Sequence, residues 1–326
     1  MPNEIVAVIP QQLAYCANSI PVPALFAAAG GHASYRLVEF LTASIRNPNT
    51  RTAYGSAIVR FAGWCDIRGV ALERVTSLHV AAYVEELGRK LAKPSVKQNL
   101  AALRVLFDYL VTGQILPHNP AAAVRGPKYV TKQGKTPVLT QSEAQDLFKG
   151  IDTSTIAGLR DRALIGVMVY SFARVGAVLG MNVEDYCQRG KRWWLRLHEK
   201  GGKYHEVPVH HKAEEYLDAY LEAAGIAGRK DEPLFRSIDA RRRLTGRPLV
   251  PRDALAMIKR RAKNANLGDE VCCHTFRATG ITNYLENGGT IEKAQQIAAH
   301  ESPRTTKLYD RTNDQLSLDE IERIQI

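Results

Sequence analysis

The stretch "IAAHESPRTTKLYDR" (297–311) sets His300 nine positions ahead of Tyr309, with two threonines and basic residues between them. A tyrosine oxygen attacks well only as the phenolate. With an ordinary pKa near 10, about one in 1000 is ionised at pH 7, a deficit of roughly 4 kcal/mol that neighbouring cations or a base must offset. Among 9 histidines and 13 tyrosines this spacing is cheap by chance, so it counts only with matching groups elsewhere. Such groups stand upstream: Arg174 in "SFARVGAVLGM", Lys200 in "RWWLRLHEKGGKYHEVPVH", and His274 with Arg277 in "CCHTFRATGITNYL". The His-x-x-Arg spacing puts both side chains on one helical face. Two arginine forks suit the non-bridging oxygens of a phosphodiester, whose charge grows as phosphorus becomes pentacoordinate. A lysine at a hairpin tip suits an acid for a departing 5′-oxygen, with Lys203 as its competitor. The two histidines suit hydrogen bonds to phosphate or acceptance of the tyrosine proton.

The whole chain favours such a substrate. Its 44 Lys+Arg against 33 Asp+Glu leave +11 at pH 7, which makes a polyanion the first partner to consider, nucleic acid ahead of a membrane surface. At 326 residues and 45% hydrophobic content it is an ordinary globular chain of roughly two domains. The cysteines (Cys16, Cys65, Cys187, Cys272, Cys273) have no C-x-x-C spacing, and a reducing cytosol is the expected compartment. Residues 1–34 carry no Lys or Arg and four prolines, unlike a signal peptide, and no apolar run approaches the roughly 18 residues of a membrane span. There is no D-x-D cluster, no metal-ligand Cys/His spacing and no G-x-x-x-x-G-K-[ST] loop, so the reading calls for neither metal, ATP nor any other cofactor.

The elements that must position these residues fall in two groups. In "NPNTRTAYGSAIVRFAGWCDIRG" (47–69), Tyr54, Ile58, Phe61 and Cys65 share one helical face behind Thr50 as candidate cap. Val80, Tyr83, Val84 and Leu87 define a helix from about Ser77; Val96, Leu100, Leu103, Phe107 and Leu110 define another that stops at Gly113. These form an all-α unit over 35–124, with 1–34 as a partly disordered extension. "RGPKYVTKQGKTPV" (125–138) holds Arg125, Lys128, Lys132 and Lys135 with no acid, and reads as a basic linker that could cross phosphates. Beyond it, Thr140 and Glu143 form a capping box, Ala163–Phe172 reads as a buried helix, and glycines at 201 and 202 mark a hairpin turn. At least one of Trp193 and Trp194 belongs in the core, as do Cys272 and Cys273. Helical patterns resume at 211–224 and continue to the end.

In their order, Arg174, Lys200, His274-x-x-Arg277, His300 and Tyr309 resemble the tyrosine recombinases, or phage integrase family. The resemblance implies a mainly α protein with a small antiparallel β-sheet in an α+β catalytic domain (139–326). It also implies an all-α core-binding domain (35–124), the two forming a C-shaped clamp on DNA. It assigns Arg174, Lys200, His274, Arg277 and His300 to catalysis and Tyr309 as the nucleophile of a 3′-phosphotyrosyl intermediate in site-specific recombination. One departure stands out: the family usually has an acid three residues after its first arginine, and here that residue is Ala177. Glu184 and Asp185 are the nearest acids in sequence to take its place.

The implied partners are double-stranded DNA with inverted-repeat core sites and further copies of the chain, a dimer on one site and a tetramer in synapse, with no membrane. Candidate DNA contacts are Arg51, Lys93, Lys97, Arg104, Arg125, Lys128, Lys132, Lys135, Lys203, Arg241, Arg242, Arg243, Arg252, Lys259 and Arg260. The tail "DQLSLDEIERIQI" (314–326), with a capping box from Ser317 to Glu320 and an apolar stripe of Leu318, Ile321 and Ile324, fits docking into a neighbouring subunit. The lack of basic residues in 1–34 argues against an added arm-site domain. The competing readings are a type IB topoisomerase-like relaxase and an idle DNA-binding regulator.

Overall fold

The computed structural model describes residues 22–129, 134–199 and 203–310, Lys203 by its backbone only. The chain divides into two units, Met1–Val130 and Thr131–Ile326. The first is all helical: α1 (Ala24–Ala28), α2 (Gly31–Glu39) running into a π turn at Phe40–Ser44, α3 (Pro48–Ile67), α4 (Ser77–Lys90) and α5 (Lys93–Thr112). The cap of α3 is Asn47, not Thr50: its side chain accepts from the amides of Asn49 and Thr50, and Pro48 at the first helical position has no amide to satisfy. Gly69, at φ +64°, supplies the left-handed residue that ends this helix. Ile58, Phe61 and Cys65 of α3 pack with Val80, Tyr83 and Leu87 of α4 and with Val96, Leu103, Phe107 and Leu110 of α5. Phe61 meets the rings of Tyr83 and Phe107 edge-on at 5.1 and 5.8 Å. Each fully buried side chain of this size contributes about 1.5–3 kcal/mol. The unit begins earlier than 35, because Leu25, Phe26 and Ala33 are buried in the same core.

The second unit is built on α7 (Ile156–Ser171), whose buried residues run all round it. It lies between α9 (His211–Ala224) and α11 (Cys273–Glu286). A helix apolar on every side must be enclosed, and Gly280 permits the closest approach: a Cβ there would stand 2.0 Å from the Val169 carbonyl oxygen. The box of Thr140 and Glu143 caps α6 (Gln141–Lys149) as expected. Then come α8 (Val175–Leu179) and an antiparallel sheet in the order β1 (Tyr186–Arg189), β2 (Arg192–Glu199) and β3 (Lys203–Pro208). The register pairs Tyr186 with Leu195 and Glu199 with Lys203. Trp193 stacks on Tyr186 at 4.3 Å and packs on the core.

Helical structure does not continue unbroken from 211. A second hairpin, β4 (Arg236–Ile238) with β5 (Leu244–Pro248), precedes α10 (Pro251–Asn264), α12 (Ile291–Ile297) and α13 (Pro303–Lys307). Its sequence "LTGRP" lacks apolar alternation and contains Gly and Pro, which weaken any strand signal. Buried Asp161 accepts from Arg160 and from Arg261 at 2.6 and 2.8 Å, and Arg160 also donates to the Arg236 carbonyl, so the basic run on α10 is anchored from within. No helix among the described residues is long and apolar enough to cross a membrane.

Candidate active site

Two turns in the left-handed region deliver the candidate side chains, and one arginine holds both. At the end of α7, Phe172 sits at φ +55° and reverses the chain into Arg174, the cap residue of α8. After α12, Ala299 at φ +48° turns the chain into His300. A non-glycine residue there costs about 1–2 kcal/mol. Arg277 on α11, 1% exposed, donates to the Phe172 carbonyl and, at 2.7 Å, to the Ala298 carbonyl. Part of its fork is therefore spent on backbone. His205 of β3 adds a third tie, Nε2 to the Ile297 carbonyl at 2.9 Å.

His300 is buried at 7% exposure. Its amide donates to the Gln295 carbonyl, and its own carbonyl accepts from the Gln295 side chain, both at 3.1 Å. Nδ1 meets Thr306 Oγ1 at 2.9 Å, leaving Nε2 for a substrate. Thr306 also accepts the Tyr309 amide at 2.9 Å, so one wholly buried threonine sets both residues. The Tyr309 carbonyl accepts from Thr282 on α11 at 2.9 Å. Its ring packs against the cluster of Phe172, Ile281 and Leu285 and lies parallel to His300, with centroids 5.9 Å apart and 7° between planes.

Arg174 pairs with Glu199, the last residue of β2; Glu199 Oε1 also accepts the Arg174 amide at 3.5 Å. Neither acid expected to replace the one missing at Ala177 does so. Asp185 is spent on the Asn182 amide at 2.8 Å, and Glu184 is exposed, tied by its amide to Lys230. Lys200 lies outside the described residues. Sequence reasoning missed Glu199 and Thr306: nothing in spacing along the chain reveals a contact made across a strand end or by a side chain within an irregular turn.

Electrostatics draws the group together. Burial and then the charge of Arg174 push the Arg277 guanidinium down to about 10, with Glu199 and the Tyr309 hydroxyl opposing; it remains a cation at neutral pH. Burial, then Arg277 and Arg174, depress His300 to about 3. Burial of the ring, then Arg277 and Arg174, act on His274 in the same order and direction. His300 is thus neutral at pH 7, able to accept a proton or donate to phosphate, and His274 is pushed in the same direction. Since the folded His300 binds its proton far less readily than the unfolded chain, at 6.5, the unfolded state holds the extra proton in the interval between. Stability present at neutral pH should be lost as pH falls from 6.5 toward 3. His300→Gln is expected to flatten melting temperature against pH over that range; parallel profiles for variant and parent would show that His300 carries no such linkage.

Of the candidate DNA contacts, two arginines hold backbone carbonyls. Arg51 donates to the Ile45 and Thr42 carbonyls, and Arg104 to those of Ala121 and Val124; a guanidinium's several donors are the ready means of satisfying carbonyls in irregular chain. Lys259 donates to the Asp269 carbonyl, and Arg243 pairs with Asp239 at 3.0 Å. Lys93, Lys97, Arg125, Lys128, Lys135, Arg241, Arg242, Arg252 and Arg260 are exposed. Lys132, the Lys203 side chain and the tail 314–326 lie outside the described residues.

The profile of the phage integrase family matches residues 137–315, and that of the phage integrase N-terminal SAM-like domain matches residues 37–114. Tyrosine recombinase XerD of Listeria monocytogenes is 27% identical over 267 residues, covering 80% of this chain and 87% of that protein. Among solved structures, the XerH site-specific recombinase bound to a palindromic difH substrate aligns with TM-score 0.68 at 18% identity, over 94% of this chain and 87% of that one. A lambda integrase dimer bound to a COC′ core site aligns with TM-score 0.67 at 20% identity, over 96% and 85%. At such identities the two structural likenesses bear on the fold alone.

Proposed function

The chain belongs to the phage integrase family, and on that premise we propose that it is a site-specific tyrosine recombinase in which Tyr309 cuts and Arg174, Arg277, His274 and His300 make the cut possible. One observation carries the reading: Arg174, the α11 pair His274 and Arg277, and His300 with Tyr309 stacked on it are brought together from three separate parts of the chain. Tyr309 Oη attacks the phosphorus of a DNA strand, and the bond to the 5′-oxygen breaks. The tyrosine proton passes to a neutral histidine or a water beside it, and the departing 5′-oxygen takes a proton from Lys200, the role the family resemblance gives that residue. The product is a 3′-phosphotyrosine and a free 5′-hydroxyl, which keeps the bond energy for rejoining when a second 5′-hydroxyl attacks. The remaining Arg277 donors and the open side of Arg174 neutralise the pentacoordinate phosphorus, so the charge that a metal supplies elsewhere comes from guanidinium.

Its partners on this reading are duplex DNA with inverted core sites and other copies of the chain, a dimer per site and a tetramer in synapse, and DNA as substrate makes the cytoplasm its place of work. The relaxase alternative needs neither paired sites nor partners. The test is a plasmid carrying two sites selected by the protein from random sequence, incubated in excess EDTA. Deletion or inversion between the sites is the expected result; relaxation without recombinants would favour the relaxase, and no strand cutting would favour the regulator.

A further inference from the structure

A cavity of about 350 Å³ opens beside Arg174, its wall formed by Ala177, Glu199 and His274 among others. Within that wall Glu199 supplies the carboxylate. Its side chain is 2% exposed, that of Arg174 is 33% exposed, and it binds the arginine at two points, the guanidinium and the backbone amide. One edge of the guanidinium is thereby fixed and the other left open. Ala177, on the short helix α8 that Arg174 caps, lines the same cavity and offers only a methyl group toward it.

Resting on the recombinase reading, we infer that Glu199 is the positioning residue for Arg174: from the end of β2 it performs the orienting task for which position 177 has no carboxylate. A carboxylate against one edge of a guanidinium fixes its plane, so that the remaining donors are presented to a phosphate without reorganisation at the moment of reaction. Because Glu199 directly precedes Lys200 in the chain, the contact also ties the strand that leads to the lysine onto the arginine. A mere fastening of β2 to α8 would need the carboxylate on β2. The positioning role needs only a carboxylate at that edge of Arg174, from either position.

The experiment compares four full-length proteins, the parent, Glu199→Gln, Ala177→Glu and the double variant, on a nicked duplex carrying a site that the parent selects from random sequence. Adduct formation is timed alongside gel-shift affinity. Glu199→Gln is expected to slow adduct formation by about 10- to 100-fold, the usual loss when a preorganised site is deprived of an outer partner, with little change in binding. Adding Ala177→Glu should recover most of that loss. A Glu199→Gln protein that cleaves at the parent rate, or a slow one that Ala177→Glu does not rescue, overturns the inference while leaving the recombinase reading standing. Absence of an adduct from the parent itself defeats both. Should Glu199→Gln not fold, the double variant decides: folding with cleavage supports positioning, and failure to fold or to cleave assigns Glu199 to structure alone.

Discussion

Tyr309→Phe is expected to leave folding and site binding nearly unchanged and to eliminate the covalent protein–DNA adduct. The substitution removes a single oxygen. The ring keeps its packing on Phe172, Ile281 and Leu285 and its parallel contact with His300, while the Thr282 and Thr306 bonds to this residue involve only its backbone. What is lost is the nucleophile, and with it any step that stores the broken bond. The measurement is an SDS-resistant, protease-sensitive adduct on a nicked duplex in excess EDTA, followed by peptide mapping. An adduct that persists in the variant, or maps to another tyrosine, would sink the assignment and reduce the spacing to His300 to coincidence.

Lysine substitution of the two arginines should separate chemistry from architecture. Arg174→Lys keeps the charge and loses the planar fork, so cleavage is expected to fall by about 10²–10³, the scale for removing one donor from a preorganised anion site, with melting temperature nearly unchanged. Arg277→Lys should lose cleavage as well, and stability with it. Its guanidinium serves the buried Phe172 and Ala298 carbonyls at once, and lysine cannot reach both. An unsatisfied buried acceptor costs about 1–3 kcal/mol, and a unit of this size loses roughly 2–4 °C per kcal/mol. Near-parent cleavage by either variant would remove that arginine from the site. Equal melting of Arg277→Lys and the parent would deny the double clamp.

The periodic helices were legible in the linear order. Buried faces such as Val80, Tyr83, Val84 and Leu87 recur at helical spacing, and the box of Thr140 and Glu143 is local chemistry that no distant contact alters. Arg174, His274, Arg277, His300 and Tyr309 could also be picked out from the sequence as candidates, because family resemblance rests on residue type and order. Other features were decided only by the tertiary structure. The helical unit reaches back to Leu25 since a nearly charge-free segment gives no periodic signal until a core exists to bury it. Arg51 and Arg104 read as free cations until the chain folds carbonyls against them. Above all, the acid that serves Arg174 lies 25 residues away at a strand end rather than three residues on in its own helix. Neighbours along a helix can be counted from the sequence, but contacts between a helix and a sheet follow from how both pack on the same core, which spacing along the chain does not encode.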